Sequence, residues 1–131
     1  MNIEKKRLVV ADDEMNILSA LKDILAENYI VFTASDGAEA LGLVRKYKPD
    51  LALLDIMMPG MDGFEVCRRI KMDPLTRNVP VVFLTAKTHT EDAEQGFKSG
   101  AEAFVAKPFS AEKLIEKIRT VIEKAEIRKT I

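Results

Sequence analysis

The chain contains five short apolar runs separated by longer segments of mixed polarity. The runs are Leu8–Ala11, Ile30–Phe32, Leu51–Leu54, Val81–Leu84 and Ala103–Ala106. Within each run the apolar residues follow one another without alternating with polar ones. That pattern is typical of strands buried on both faces of a parallel sheet. The runs therefore predict five buried, parallel strands.

The segments between the runs have the spacing of amphipathic helices. One apolar stripe lies between the first two runs and comprises Ile17, Leu18, Leu21, Ile24 and Leu25. A second stripe with the same spacing ends the chain and comprises Leu114, Ile115, Ile118, Val121 and Ile122. Residues at these intervals share one face of a helix, so both stripes predict helices packed on a core.

Polar residues and glycine mark the ends of these predicted helices. Asp36, followed three residues later by Glu39, predicts a cap at the start of the second helix. Ser110 can cap the last helix, and Gly100 stands where a left-handed residue would end the fourth. The elements therefore alternate strand and helix along the chain.

Parallel strands joined by right-handed helical crossovers form an open sheet with helices on both faces. We expect an α/β fold in which the strand–helix unit occurs five times, a doubly wound three-layer sandwich. Residues 1–131 are predicted to be a single domain, with a core at about 6–124 and a C-terminal tail at 125–131.

Composition narrows the classes of function. Of 131 residues, 47% are hydrophobic and 31% charged, which is typical of a globular domain. The 20 Lys and Arg residues balance 21 Asp and Glu residues, which disfavours binding of nucleic acid through its phosphates. Cys67 is the single cysteine, which excludes an internal disulfide and a multi-cysteine zinc site. No apolar run approaches the roughly 20 residues that span a bilayer, and we expect a cytoplasmic location with no membrane contact.

Chemically active side chains follow four of the five predicted strands. The first strand ends in Asp12 and Asp13, the third in Asp55, the fourth in Thr85 and the fifth in Lys107. Each has an ordinary explanation by itself; Asp13, for example, could cap the first helix. The carboxyl ends of parallel strands share one edge, where ligands bind in open α/β sheets. Their joint placement therefore favours a functional site.

The residue types indicate phosphoryl chemistry with a metal ion. Three close carboxylates cannot all remain ionised without a compensating charge, and Mg²⁺ is held by such oxygen ligands. Lys107 offers a positive charge and Thr85 a hydroxyl donor to phosphoryl oxygens, as phosphoryl transfer requires. A central carboxylate can then act as the nucleophile. We expect that residue to be Asp55, because the middle strand would place it deepest.

Four segments make the chain resemble the receiver domain of bacterial two-component response regulators, with a layout similar to the stand-alone chemotaxis regulator. They are Val9–Glu14, Leu53–Gly63, Phe83–Ala86 and Val105–Phe109. The resemblance implies phosphorylation of Asp55 and a flavodoxin-like sheet of strand order 2-1-3-4-5.

The same resemblance implies a role for each site residue. Asp13, Asp55 and the backbone carbonyl of Met57 would ligate Mg²⁺, or alternatively Mn²⁺, and Asp12 would act through a metal-bound water. Thr85 and Lys107 would contact the phosphoryl group, and the Lys107–Pro108 peptide would be cis. Phe104 stands where the family often has a tyrosine that switches between rotamers.

The resemblance also implies partners. A sensor histidine kinase or phosphotransfer protein would supply the phosphoryl group to this phosphoacceptor, which is not expected to be a multiple-turnover enzyme. The face formed by the fourth helix, fifth strand and fifth helix would contact a downstream protein, an output domain or a second copy. No direct contact with nucleic acid is expected, and the single histidine, His89, is expected to be solvated.

Three other functions are compatible with a fold of this class. A flavin or nucleotide binder would need a loop of small residues after the first strand, where this chain has Asp12–Met15. An aspartate-nucleophile phosphatase of the dehalogenase type would have both aspartates on the first strand, in an Asp-x-Asp motif. A degenerate pseudo-receiver acting only as a docking module would lack an acidic residue or the lysine, and all of them are present here.

Overall fold

Five strands and five helices alternate in the part of the chain that the structure describes, as the apolar pattern predicts. The computed structural model describes residues 4–86 and 90–129. The strands are β1 (Lys6–Ala11), β2 (Tyr29–Ala34), β3 (Leu51–Asp55), β4 (Val81–Thr85) and β5 (Ala103–Ala106). The helices are α1 (Met15–Leu25), α2 (Gly37–Tyr47), α3 (Gly63–Met72), α4 (Thr90–Lys98) and α5 (Ala111–Lys129). His89 lies outside the described residues.

The strands form one parallel sheet in the order β2-β1-β3-β4-β5, which confirms the predicted topology. Along the sheet, Ala11 is paired with Leu54, Asp55 with Leu84, and Thr85 with Ala106. This register brings the carboxyl ends of β1, β3, β4 and β5 to the same edge. The polar residues that follow these strands are therefore neighbours in space.

Two apolar clusters cover the two faces of the sheet. Val9 belongs to the cluster that contains α2 and α3, whereas Leu8 and Val10 belong to the cluster that contains α1 and α5. Burial on both faces explains why the apolar run of β1 does not alternate. The edge strand β2 departs from the prediction, because it has a neighbour on one side only, and Ile30 is 46% exposed.

The predicted helix ends are confirmed. The Asp36 carboxylate accepts a hydrogen bond of 2.8 Å from the backbone N–H of Glu39. Ser110 Oγ accepts one of 3.1 Å from the N–H of Lys113. Gly100 has a φ of +102°, a conformation that a side chain disfavours. None of the helices in the described ranges is long and apolar enough to cross a membrane.

Helix α5 continues into the predicted tail at 125–131 and ends at Lys129. Ala125 is buried and extends the apolar stripe of Ile118 and Val121 by one more turn. Glu126 forms an ion pair with Lys6 at the start of β1. The helix therefore keeps a buried face beyond the predicted boundary; residues 130–131 lie outside the described part.

Gly63 sets the distance between α3 and the end of β3. Its backbone N–H donates to the Ile56 carbonyl over 2.9 Å. A Cβ at this position would lie 2.5 Å from the Asp55 carbonyl oxygen and 2.9 Å from Ile56 Cα. Both atoms belong to the backbone, which cannot yield as a flexible side chain would. The absence of a side chain at position 63 is therefore required for this packing.

We predict that Gly63→Ala lowers the free energy of unfolding by about 1–3 kcal/mol, because overpacking displaces the backbone next to Asp55. Gly42→Ala is the matched control: it also lies in a helix, but its Cβ would meet nothing within 4 Å. That variant should gain about 0.5–1 kcal/mol from the better helix propensity of alanine. Urea denaturation measures both, and equal effects of the two substitutions would contradict the packing argument.

Candidate functional site

Three aspartates form a compact acidic cluster at the carboxyl edge of the sheet. Asp12 and Asp13 directly follow β1, and Asp55 is the last residue of β3. One carboxylate oxygen from each lies within 4.8 Å of the others. The cluster thus has the all-oxygen composition that a hard divalent cation such as Mg²⁺ prefers.

The prediction that Asp55 lies deepest is wrong. Asp12 is fully buried, whereas Asp55 is 5% exposed and Asp13 is exposed. The reason is that β1 is also an internal strand, with β2 on one side and β3 on the other. The backbone N–H of Asp12 donates to the Ala34 carbonyl of β2 over 3.1 Å, which holds this residue in the sheet.

Both carboxylate oxygens of Asp12 are engaged within the protein. Oδ1 accepts from the backbone N–H of Glu14 over 2.9 Å, and Oδ2 accepts from Lys107 Nζ over 2.8 Å. The alternative role of Asp13 as a helix cap is not observed, because Glu14 is the N-cap residue of α1 and no side chain caps this helix. Asp13 is thus left at the mouth of the site.

Lys107 connects β5 with the acidic cluster. Its backbone N–H donates to the Thr85 carbonyl over 2.7 Å, which joins the ends of β4 and β5. Its Nζ lies 2.8 Å from Asp12 Oδ2 and 3.5 Å from Asp55 Oδ1. The peptide bond to Pro108 is cis, as the resemblance implied. One ammonium group therefore contacts two of the three carboxylates.

A cleft of about 420 Å³ opens above the cluster. Its lining includes five of the predicted site residues, namely Asp13, Asp55, Met57, Thr85 and Lys107. Thr85 is buried, whereas Met57 is 76% exposed. The backbone of Met57 forms a hydrogen bond with Asp55. The carboxylate of Asp55 can therefore be approached from solvent through the cleft.

The cleft has further lining residues that were not predicted from the sequence, including Glu14, Asp62 and Phe64. Asp62 caps α3 by accepting a hydrogen bond of 2.9 Å from the N–H of Glu65. Its position before a glycine and an apolar helix was the available signal for that cap. Nothing in the sequence pattern alone placed Phe64 in the lining of this cleft.

The pKa of Asp55 is raised to about 6, chiefly by burial and next by the charge of Asp12, against the opposing charge of Lys107. Burial by itself lowers the pKa of Lys107, but the hydrogen bond to Asp12 and the negative charges of Asp55 and Asp12 outweigh it, so the pKa is raised. Lys107 is the only cation among the described residues that line the cleft. The site therefore carries uncompensated negative charge.

Phe104 does not line this cleft. It lies on β5, half-buried, with its ring centroid 5.6 Å from that of Phe83 and 5.0 Å from that of Phe97. Its ring therefore contacts an aromatic residue of β4 and another of α4. The structure brings the three aspartates, Thr85 and Lys107 to one edge of the sheet, whereas Phe104 packs against Phe83 and Phe97.

Residues 8–119 match the family model of the response regulator receiver domain. The chain is 46% identical over 114 residues to response regulator PleD of Caulobacter vibrioides, which covers 87% of this chain and 25% of PleD. It is 39% identical over 127 residues to the DNA-binding response regulator MtrA of Mycolicibacterium smegmatis, which covers 96% of this chain and 54% of MtrA. The chain thus spans about a quarter of the length of PleD and about half the length of MtrA.

Solved structures of response regulators and receiver domains are also similar to this chain. Chemotaxis response regulator CheY4 of Vibrio cholerae superimposes with a TM-score of 0.86 at 31% identity, covering 90% of this chain and 99% of CheY4. The receiver domain of sensor histidine kinase PA1611 from Pseudomonas aeruginosa, crystallised with a magnesium ion in its active-site cleft, superimposes with a TM-score of 0.85 at 25% identity. That match covers 92% of this chain and 99% of the PA1611 domain. The chain therefore belongs to the family of response regulator receiver domains.

Proposed function

We propose that this chain is a phosphorylation-activated switch that accepts a phosphoryl group on Asp55. One observation carries the choice of Asp55 over its neighbours: it is the only buried carboxylate of the cluster that lines the described cleft. Both oxygens of Asp12 are already bonded, and Asp13 is exposed at the mouth. Asp55 combines access for a phosphoryl donor with contact to Lys107.

In the proposed reaction the donor is a phosphohistidine of a sensor histidine kinase or phosphotransfer protein. A carboxylate oxygen of Asp55 attacks phosphorus, the new O–P bond forms and the N–P bond breaks. The electron pair of that bond goes to the imidazole nitrogen, which then takes up a proton. Lys107 offers its ammonium group, and Thr85 its hydroxyl, to the phosphoryl oxygens. With a pKa of about 6, Asp55 is largely ionised at neutral pH and so can act as the nucleophile.

The proposed metal ligands are Asp13, Asp55 and the carbonyl of Met57, with Asp12 acting through water. The cluster of carboxylate oxygens and its uncompensated negative charge fit Mg²⁺, or alternatively Mn²⁺. A bound ion would supply positive charge opposite the phosphoryl oxygens. The magnesium ion in the PA1611 receiver domain supports this assignment.

The proposed output is a change in the face formed by α4, β5 and α5. A phosphoryl group on Asp55 would draw Thr85 and Lys107 towards it, and Phe104 would follow the change at the end of β4. A groove of about 790 Å³ on this face is lined by the exposed side chains of Phe97 and Ile127 and by Lys117, Lys124 and Arg128, among others. An apolar surface with basic neighbours suits a protein partner or output domain.

A second copy of this chain is the other occupant proposed for the face formed by α4, β5 and α5.

The charges of the C-terminal helix do not favour direct binding of nucleic acid. From Ala111 onward six Lys and Arg residues accompany four Glu residues, which is not the basic excess that such binding needs. The proposal places the chain in the cytoplasm and gives it the role of a phosphoacceptor rather than of a multiple-turnover enzyme.

We predict that acetyl phosphate and Mg²⁺ add one phosphoryl group to the protein, seen by intact mass, and that Asp55→Asn abolishes the addition. Glu14→Gln is the charge-matched control, because it removes a carboxylate from the same cleft but outside the acidic cluster. That variant should still be labelled.

Two outcomes would contradict the proposal. Label that persists in Asp55→Asn would show that another residue is the acceptor. An unlabelled wild-type protein that still binds its partner would favour a pseudo-receiver that acts only as a docking module.

A second prediction concerns stability in the presence of a chelator. Because the pKa of Asp55 is raised from 3.8 to about 6 on folding, the folded protein binds this proton more tightly than the unfolded chain. Stability should therefore fall as the pH rises from about 4 to 6, and the whole penalty is present above pH 6. Asp55→Asn removes that penalty, and we expect it to raise the free energy of unfolding at pH 7 by on the order of 2–3 kcal/mol.

Urea denaturation with EDTA at several pH values measures this effect. The difference between wild type and Asp55→Asn should shrink below about pH 4, where the wild-type carboxyl is protonated in both states. Adding Mg²⁺ should stabilise the wild type more than the variant, because ligands stabilise the state that binds them. An Asp55→Asn variant that is less stable than wild type at pH 7 in EDTA would contradict the prediction.

A further inference from the structure

Two helical glycines differ in what surrounds them. A Cβ at Gly42 in α2 would meet nothing within 4 Å. A Cβ at Gly96 in α4 would lie 2.2 Å from Cζ and 2.8 Å from Cε1 of Phe104. Side-chain carbons do not approach so closely, so the Phe104 ring can occupy its position only because residue 96 has no side chain. The ring rests directly on the backbone of α4.

The Phe104 ring is also the third member of a row of four aromatic rings. Phe64, which lines the acidic cleft, contacts Phe83 edge to face, with 5.3 Å between ring centroids. Phe83 contacts Phe104 at 5.6 Å, and Phe104 contacts Phe97 at 5.0 Å. Phe97 is 57% exposed on the surface of α4. The row therefore runs from the cleft through the core to the surface.

The Phe104 ring borders a second space that could receive it. A cavity of about 220 Å³ is lined by Phe104 together with Pro108, Lys113 and Lys117 at the start of α5. A cavity of about 150 Å³ in another protein holds benzene, so this volume is large enough for a phenyl ring. Phe104 borders both places, and a change of its side-chain torsions between staggered wells is the movement that would exchange them.

We propose that Gly96 is a positioning residue for Phe104: the missing Cβ makes a seat on α4 that holds the ring, and the cavity beside Pro108 and Lys113 is its alternative place. When the ring leaves the seat, Phe97 loses the aromatic neighbour on which it packs, and the surface of α4 changes. This inference rests on the proposed function, in which Phe104 responds to phosphorylation of Asp55.

The first test is a double-mutant cycle measured by urea denaturation. Gly96→Ala should be destabilising, whereas Gly42→Ala, the matched helical control, should not. In a Phe104→Leu background the side chain that meets the new Cβ is gone, so the Gly96→Ala effect should fall by roughly half or more. If Gly96→Ala lowers the free energy of unfolding by the same amount in both backgrounds, the proposal that Gly96 positions the Phe104 ring is overturned.

The second test follows the ring itself by ¹⁹F NMR of protein labelled with 3-fluorophenylalanine. The signal lost in Phe104→Leu identifies residue 104. In the wild type we expect beryllofluoride with Mg²⁺ to shift that signal. In Gly96→Ala it should be displaced in the same direction before any addition, and in Gly42→Ala it should match the wild type.

A Gly96→Ala signal at the wild-type position, before and after addition, would overturn the proposal. A different result would contradict the switch role of Phe104 in the proposed function. It is a wild-type signal that does not shift with beryllofluoride, although acetyl phosphate phosphorylates Asp55 of the same protein. Gly96→Ala should also be tested for phosphorylation of Asp55 by acetyl phosphate. If Asp55 of this variant is phosphorylated, the acceptor is intact and a changed signal reports the position of the Phe104 ring.

Discussion

The contact of Lys107 with Asp12 and Asp55 is the interaction on which the site depends. Three carboxylates converge where β1 and β3 end, and the burial of Asp12 and Asp55 makes their mutual repulsion costly. The ammonium group, 2.8 Å from Asp12 and 3.5 Å from Asp55, offsets part of that repulsion. Because Asp12 keeps the lysine in place, Asp55 can face the cleft while still close to a positive charge.

The fold supplies this arrangement through the register of the sheet rather than through any one loop. Lys107 reaches the cluster because its backbone is bonded to Thr85 at the end of β4, and β4 is paired with β3 beside Asp55. Gly63 brings α3 against the end of β3, which closes the other side of the cleft. The charge of the site is thus held by a rigid frame, as preorganised electrostatic stabilisation requires.

The same closeness of packing extends from the cleft to the surface of the domain. The aromatic row from Phe64 to Phe97 fills the space between β4, β5 and the helices α3 and α4. Closely packed cores respond to a local change by moving between discrete arrangements. The proposed seat at Gly96 would let one ring of that row change its place while the rest of the core keeps its packing.

Apolar runs and polar strand ends in the sequence determined the five strands, the site residues and the edge at which they meet. Those features depend on local spacing, since burial on both faces requires unbroken apolar runs and parallel strands align their ends. Tertiary structure alone decided that Asp12 lies deeper than Asp55, that α5 stays helical to Lys129, and that Phe104 rests on Gly96. Each of these depends on contacts between residues distant in sequence, which local spacing does not encode.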